Sequence, residues 1–125
     1  MDYDISIDHK NKIVVCASGG KLDIETATAI AEDARKQALE LGYSTLYDVR
    51  DAPISIGILD AYYFLRDTGT VYKNRKHRSV KAAILYGPDK NGRFRKLFEA
   101  TALNTGLEVM VFYRKNDAVK WLSNQ

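Results

Sequence analysis

The chain has 125 residues, a net charge of +3, 46% hydrophobic and 28% charged residues, and one cysteine. That is the size and balance of one globular domain, residues 1–125, able to build a core without staples. A lone Cys16 excludes an internal disulfide framework. No apolar run approaches the roughly 18 residues of a membrane span, and the start Met-Asp-Tyr-Asp lacks the features of a signal peptide, so a cytoplasmic, reducing location is expected.

Taken in chain order, Tyr3, Ile5 and Ile7 alternate with Asp4 and Ser6, the period of a half-buried strand. A polar turn, Asp8-His9-Lys10-Asn11, leads to a second strand over Lys12–Ser18, paired with the first as a hairpin. Gly19-Gly20 breaks it. Asp23 is placed to cap a helix on which Ile24, Ala27, Ala31, Ala34, Ala38 and Leu41 recur at helical spacing, and Gly42 supplies the left-handed exit. Ser44–Val49 reads as a third, central strand.

A second helix is expected from Ile54 or Ser55 to Asn74 and a fourth strand over Val80–Tyr86. A tight loop, Gly87–Gly92, precedes a third helix over Arg93–Thr105. Glu108–Tyr113 is the fifth strand, and Asn116 is expected to cap a short last helix holding Ala118, Val119, Trp121 and Leu122. The order predicts an α/β fold: a five-stranded, mixed but mostly parallel sheet with about four helices, right-handed crossovers and an antiparallel edge from the opening hairpin.

The chemistry is sparse. His9 and His77 have no Cys or His at ligand spacing, so no metal site is expected. Cys16 sits inside a strand, where a thiol packs as a small apolar group, without the helix N-terminus or cationic neighbour that activates a nucleophile. No cofactor motif is present. Gly87 and Gly92 have P-loop spacing, but Arg93 and Phe94 stand where Lys and Ser or Thr are needed, so no hydroxyl is available for magnesium. Arg93 and Arg95 are left as candidate anion contacts at that helix start. From Lys73 to Lys96 there are nine basic residues against Asp89 alone, a net +8, so the remainder carries −5. That asymmetry reads as a solvated surface or as a contact for anionic partners, at most peripheral membrane contact. It lacks interleaved exposed aromatics, so nucleic acid is not expected.

The most informative stretch is Asp48-Val-Arg-Asp-Ala-Pro-Ile-Ser-Ile-Gly-Ile-Leu-Asp60. It leaves the C-terminal end of the central strand, where ligand sites gather in open α/β sheets. Asp48, Arg50, Asp51 and Ser55 bring acids, a base and a hydroxyl there; equally, they read as loop charges and a helix cap. In the following helix Ile54, Ile56, Ile58, Leu59, Ala61, Tyr62, Tyr63, Phe64 and Leu65 fall on nearly every face, with Asp60 as the only charge. A surface helix shows one apolar stripe, so this one is expected to be covered on both sides, by its own chain, a partner or an apolar ligand. Asp48, Arg50, Ser55, Ile58, Tyr62 and Tyr63 are therefore the candidate ligand or partner residues.

The strand end Leu46-Tyr-Asp-Val-Arg50, the strand Val80–Leu85, the stretch Gly106-Leu-Glu-Val-Met-Val-Phe112 and the closing Ala118-Val-Lys-Trp-Leu122, in this order, resemble the STAS/SpoIIAA-like family, more closely an uncharacterised bacterial branch of it. The likeness covers almost the whole chain and rests on pattern and order. It implies a SpoIIAA-like fold and a non-enzymatic regulatory or protein-interaction module. In the anti-anti-sigma relatives a serine at the start of the helix after the central strand is phosphorylated and controls partner binding. The matching position is near Ser55, although the usual Asp-Ser-Ser/Thr-Gly run is absent. The distantly related CRAL-TRIO domains imply the alternative, a small apolar-ligand or lipid binder. A homodimer contacting through the Ile54–Leu65 helix is expected.

Overall fold

A computed structural model describes residues 3–19, 23–50, 81–87, 95–96, 99–100 and 109–123. They form one five-stranded sheet in the order β1-β2-β3-β4-β5, with β1 Tyr3–Asp8, β2 Ile13–Ser18, β3 Ser44–Asp48, β4 Ala82–Leu85 and β5 Val109–Phe112. β1 runs antiparallel to β2, and β2 to β5 are mutually parallel. The mixed sheet, its antiparallel edge and the central place of the third strand all agree with the sequence reading.

Two helices lie within the described residues, α1 over Ile24–Leu41 and α2 over Lys115–Ser123, not the four expected. The helix expected from residue 54 to 74 lies outside the described residues. Of the one expected over 93–105, only Arg95, Lys96, Glu99 and Ala100 are described, and all four are helical.

Local chemistry explains the boundaries. The Asp8 carboxylate accepts hydrogen bonds from the Asn11 backbone N–H at 3.1 Å and from its Nδ2 at 2.8 Å, closing the hairpin turn. Lys12 completes the turn in the left-handed region, φ 57°. The Asp23 side chain accepts from the Thr26 N–H at 2.8 Å and caps α1. Gly42 ends that helix at φ 71°, its N–H bonded to the Ala38 carbonyl, a conformation that glycine adopts without the usual Cβ penalty. Asn116 is not the cap of α2. The helix begins one residue earlier, at Lys115, and its first turn closes when the Ala118 N–H bonds to the Arg114 carbonyl.

The sheet is buried on both faces near its centre. On one face α1 packs Ile30, Ala34 and Ala38 against Val14, Cys16 and Val49. The small alanines let the helix lie close to the strands. On the other face α2 packs Ala118 and Leu122 against Ile13, Leu46, Ala83 and Leu85. β1 joins the first cluster through Tyr3, Ile5 and Ile7. Its Tyr3 hydroxyl donates to Asp33 Oδ2 at 3.0 Å, tying the edge strand to α1.

Candidate functional site

The sheet brings the C-terminal ends of β3, β4 and β5 together at one end. Two backbone bonds continue the ladder past the strands: the Val49 N–H donates to the Leu85 carbonyl and the Tyr86 N–H to the Phe112 carbonyl, each at 3.0 Å. Asp48 is the last residue of β3 and lies on the Leu46 side of the sheet, facing the start of α2. It stands in one row with Ala17 on β2 and Leu85 on β4.

Asp48 and Arg50, singled out in the sequence, do meet. Arg50 Nε donates to Asp48 Oδ1 at 2.9 Å and Nη2 to Oδ2 at 2.7 Å, a two-pronged pair. The Arg50 backbone N–H adds a third bond to Oδ1 at 3.2 Å. These bonds from Arg50 hold the Asp48 carboxyl below its usual range, and the nearby Lys115 charge adds to the effect, against a smaller opposing push from burial. A carboxyl kept ionised in this way is poorly suited to proton transfer near neutral pH, which favours a pKa close to the operating pH. Both side chains are partly exposed, and such pairs contribute about 0–1 kcal/mol. The clasp therefore acts chiefly on geometry, fixing the chain where it leaves β3.

A second constraint acts at the same place. A Cβ on Gly87 would lie 2.8 Å from the Arg50 carbonyl oxygen, so the chain leaving β4 presses directly on the backbone leaving β3. Gly87→Ala is expected to lower stability by about 1–3 kcal/mol in urea unfolding, since backbone must move to admit the methyl. Gly19→Ala, where a Cβ meets nothing within 4 Å, should stay within about 0.5 kcal/mol of the parent.

Arg95 lies beyond the far edge of the sheet. Its Nε donates to Glu99 Oε1 at 3.4 Å, and its guanidinium sits 6.0 Å from the Tyr113 ring centre. An anion at Arg95 would compete with Glu99. Arg93, Ser55, Ile58, Tyr62 and Tyr63 lie outside the described residues, as does the Ile54–Leu65 stretch. Three site residues were not expected from the sequence: Lys115, whose charge reaches Asp48; Glu99, whose carboxylate accepts the Val111 N–H at 2.8 Å; and Gly87. Only Gly87 left a local trace, as the first glycine of the loop read from the sequence over Gly87–Gly92.

Cys16 is buried, and burial pushes its thiol up to about 12, with the Asp33 and Asp4 charges adding to the shift. His9 shares a 3.0 Å hydrogen bond between its Nδ1 and the Tyr43 hydroxyl. Among the described residues no three or more His, Cys, Asp or Glu side chains come together as metal ligands, and no helix is long and apolar enough to cross a membrane.

No protein-family model matches the chain, and no curated protein does. Among solved structures it is similar to an uncharacterized protein of the DUF3478 family from Shewanella loihica PV-4, described as having a SpoIIAA-like fold. The two are 17% identical, with a TM-score of 0.59, over 97% of this chain and 94% of that one. The resemblance read from the sequence thus holds at the level of architecture: this chain has the SpoIIAA-like fold.

Proposed function

We propose that the chain is a STAS-like module that works through protein contacts rather than by catalysis, as a homodimer using the Ile54–Leu65 stretch. The supporting observation is the clasp at the end of β3. Asp48, Arg50 and the close approach of Gly87 fix the backbone where it enters that stretch, and the sequence there is apolar on nearly every helical face. A chain held firmly up to Arg50, just ahead of a segment rich in apolar residues, suits recognition, because the part already fixed adds no ordering cost on binding. In this reading Ser55 occupies the place where phosphorylation switches binding in the anti-anti-sigma relatives. The ionised, paired Asp48 fits a positioning role better than an acid–base one.

Native mass spectrometry of the full chain tests this directly. A dimer is expected for the parent protein. Ile58→Asp should weaken it at least about 100-fold, since an unpaired carboxylate at an apolar contact costs several kcal/mol. A parent protein that is monomeric at every concentration rejects the proposal. A monomer that retains an extra mass, removed by organic-solvent extraction, supports the apolar-ligand reading instead, with the same stretch as its pocket wall.

A further inference from the structure

The chains leaving β3 and β4 run side by side past the ends of their strands. The Val49 N–H still bonds to the Leu85 carbonyl, and the Tyr86 N–H to the Phe112 carbonyl, each at 3.0 Å. One residue later on each chain, pairing gives way to bare backbone contact. A Cβ added at Gly87 would stand 2.8 Å from the Arg50 carbonyl oxygen, 3.6 Å from its carbon and 3.7 Å from its Cα. Gly87 is not required by its own conformation, because Gly42 is the one glycine among the described residues with a positive φ. The nearness of Arg50 is what leaves no room for a side chain.

Arg50 is also the residue whose N–H and guanidinium hold the Asp48 carboxylate. We infer that Gly87 is a positioning residue of this clasp: the exit of β4 sets the Arg50 backbone, and through it whether Asp48 and Arg50 stay paired where the chain enters the segment beginning at residue 51. A Cβ at position 87 must push one of the two chains aside. On the β4 side, the preceding residue is tied into the sheet by the Tyr86 bond to Phe112. On the Arg50 side stands a partly exposed ion pair, the weaker hold. The Arg50 side therefore yields. The bond that fails first is the one from the Arg50 N–H to Asp48 Oδ1, already the longest of the three at 3.2 Å. With it goes part of what keeps the Asp48 carboxyl below its usual range, leaving the remaining Arg50 interactions and the Lys115 charge from α2. The inference rests on the reading of Ile54–Leu65 as the dimer contact for its consequence alone, which is that a shift at the exit of β4 is passed to the first residues of that contact.

The test compares the full chain with Gly87→Ala, and with Gly19→Ala as a control whose Cβ meets nothing within 4 Å. Nuclear magnetic resonance follows hydrogen exchange at the Val49 and Arg50 amides and the titration of the Asp48 carboxyl. In Gly87→Ala the Arg50 amide should exchange at least about threefold faster, while the Val49 amide, one residue inside, changes less. The Asp48 midpoint should rise toward that of an ordinary carboxylate, and Gly19→Ala should leave all three readouts as in the parent. A general loss of stability speeds both amides alike, so equal acceleration overturns the inference, as does an unmoved Asp48 midpoint. A double-mutant cycle in urea keeps the test decisive where Gly87→Ala is too unstable for resonance work. Gly87→Ala should raise the unfolding equilibrium constant by a factor at least about threefold smaller in the Asp48→Ala background than in the parent, and equal factors overturn the inference. Gly87→Ala should also raise the dimer's dissociation constant at least about threefold, and an unchanged constant beside an opened clasp overturns the link to the contact. A parent that is monomeric at every concentration rejects the dimer alone, because the amide and carboxyl readouts lie within one subunit.

Discussion

At pH 8 the native protein should react with a thiol-specific reagent about a thousand-fold more slowly than the urea-unfolded chain. Cys16 lies on β2 beneath α1, 1% exposed among Val14, Ile30 and Ala34. Burial, aided by the negative charges of Asp33 and Asp4, raises its thiol from the ordinary 9.0 to about 12. At pH 8 about one unfolded thiol in ten is ionised, against about one native thiol in ten thousand, and the thiolate is the reactive form. The same shift sets a direction for stability. The unfolded chain releases its thiol proton above pH 9 while the native state keeps it until about 12, so this group's contribution is intact below pH 9 and is lost as pH climbs through that window. Rates within tenfold of each other would show that the thiol is accessible and that β2 does not sit under α1 as described.

Leu46→Ala is expected to be the most damaging of the simple truncations, costing about 2–5 kcal/mol. Leu46 is fully buried on the central strand and meets Ile13, Ala83, Leu85, Ala118 and Leu122. β2 and β4 flank it through hydrogen-bonded ladders and cannot slide inward to fill the void, which favours the upper part of that range. Against a typical total of about 5–15 kcal/mol, this is a large share of the fold's stability. Urea unfolding checks it: a loss below about 1 kcal/mol would mean that α2 does not seal this face. Leu46 is also two residues from Asp48 on the same side of β3, so a collapse there would loosen the clasp with Arg50.

Much of this architecture was readable from the chain because its signals are local. Asp23 and Gly42 bracket α1 through bonds to neighbours three or four residues away, and the alternation of Tyr3, Ile5 and Ile7 needs no partner to be recognised. Strand ends were less legible. Val80–Tyr86 was expected where Ala82–Leu85 forms, because a strand extends only as far as its neighbours offer partners, and β4 finds four on β5. The expected cap at Asn116 failed for a related reason: the path out of β5 lets the Arg114 carbonyl open the helix first. At the site, the Asp48–Arg50 contact spans two residues and could be read directly. The influence of Lys115 on Asp48 and the bond from Val111 to Glu99 arise only when separate segments are folded together, and no spacing in the sequence announces them.

The strands pair in the order in which they occur, and the helix that shields the Leu46 and Leu85 side comes after all of them. During synthesis, which proceeds at about 5–20 residues per second, the sheet can therefore accumulate one strand at a time from the amino end, with α2 the last of the described elements to join it. The Leu46 and Leu85 side chains therefore meet their α2 partners, Ala118 and Leu122, later than the strands meet one another.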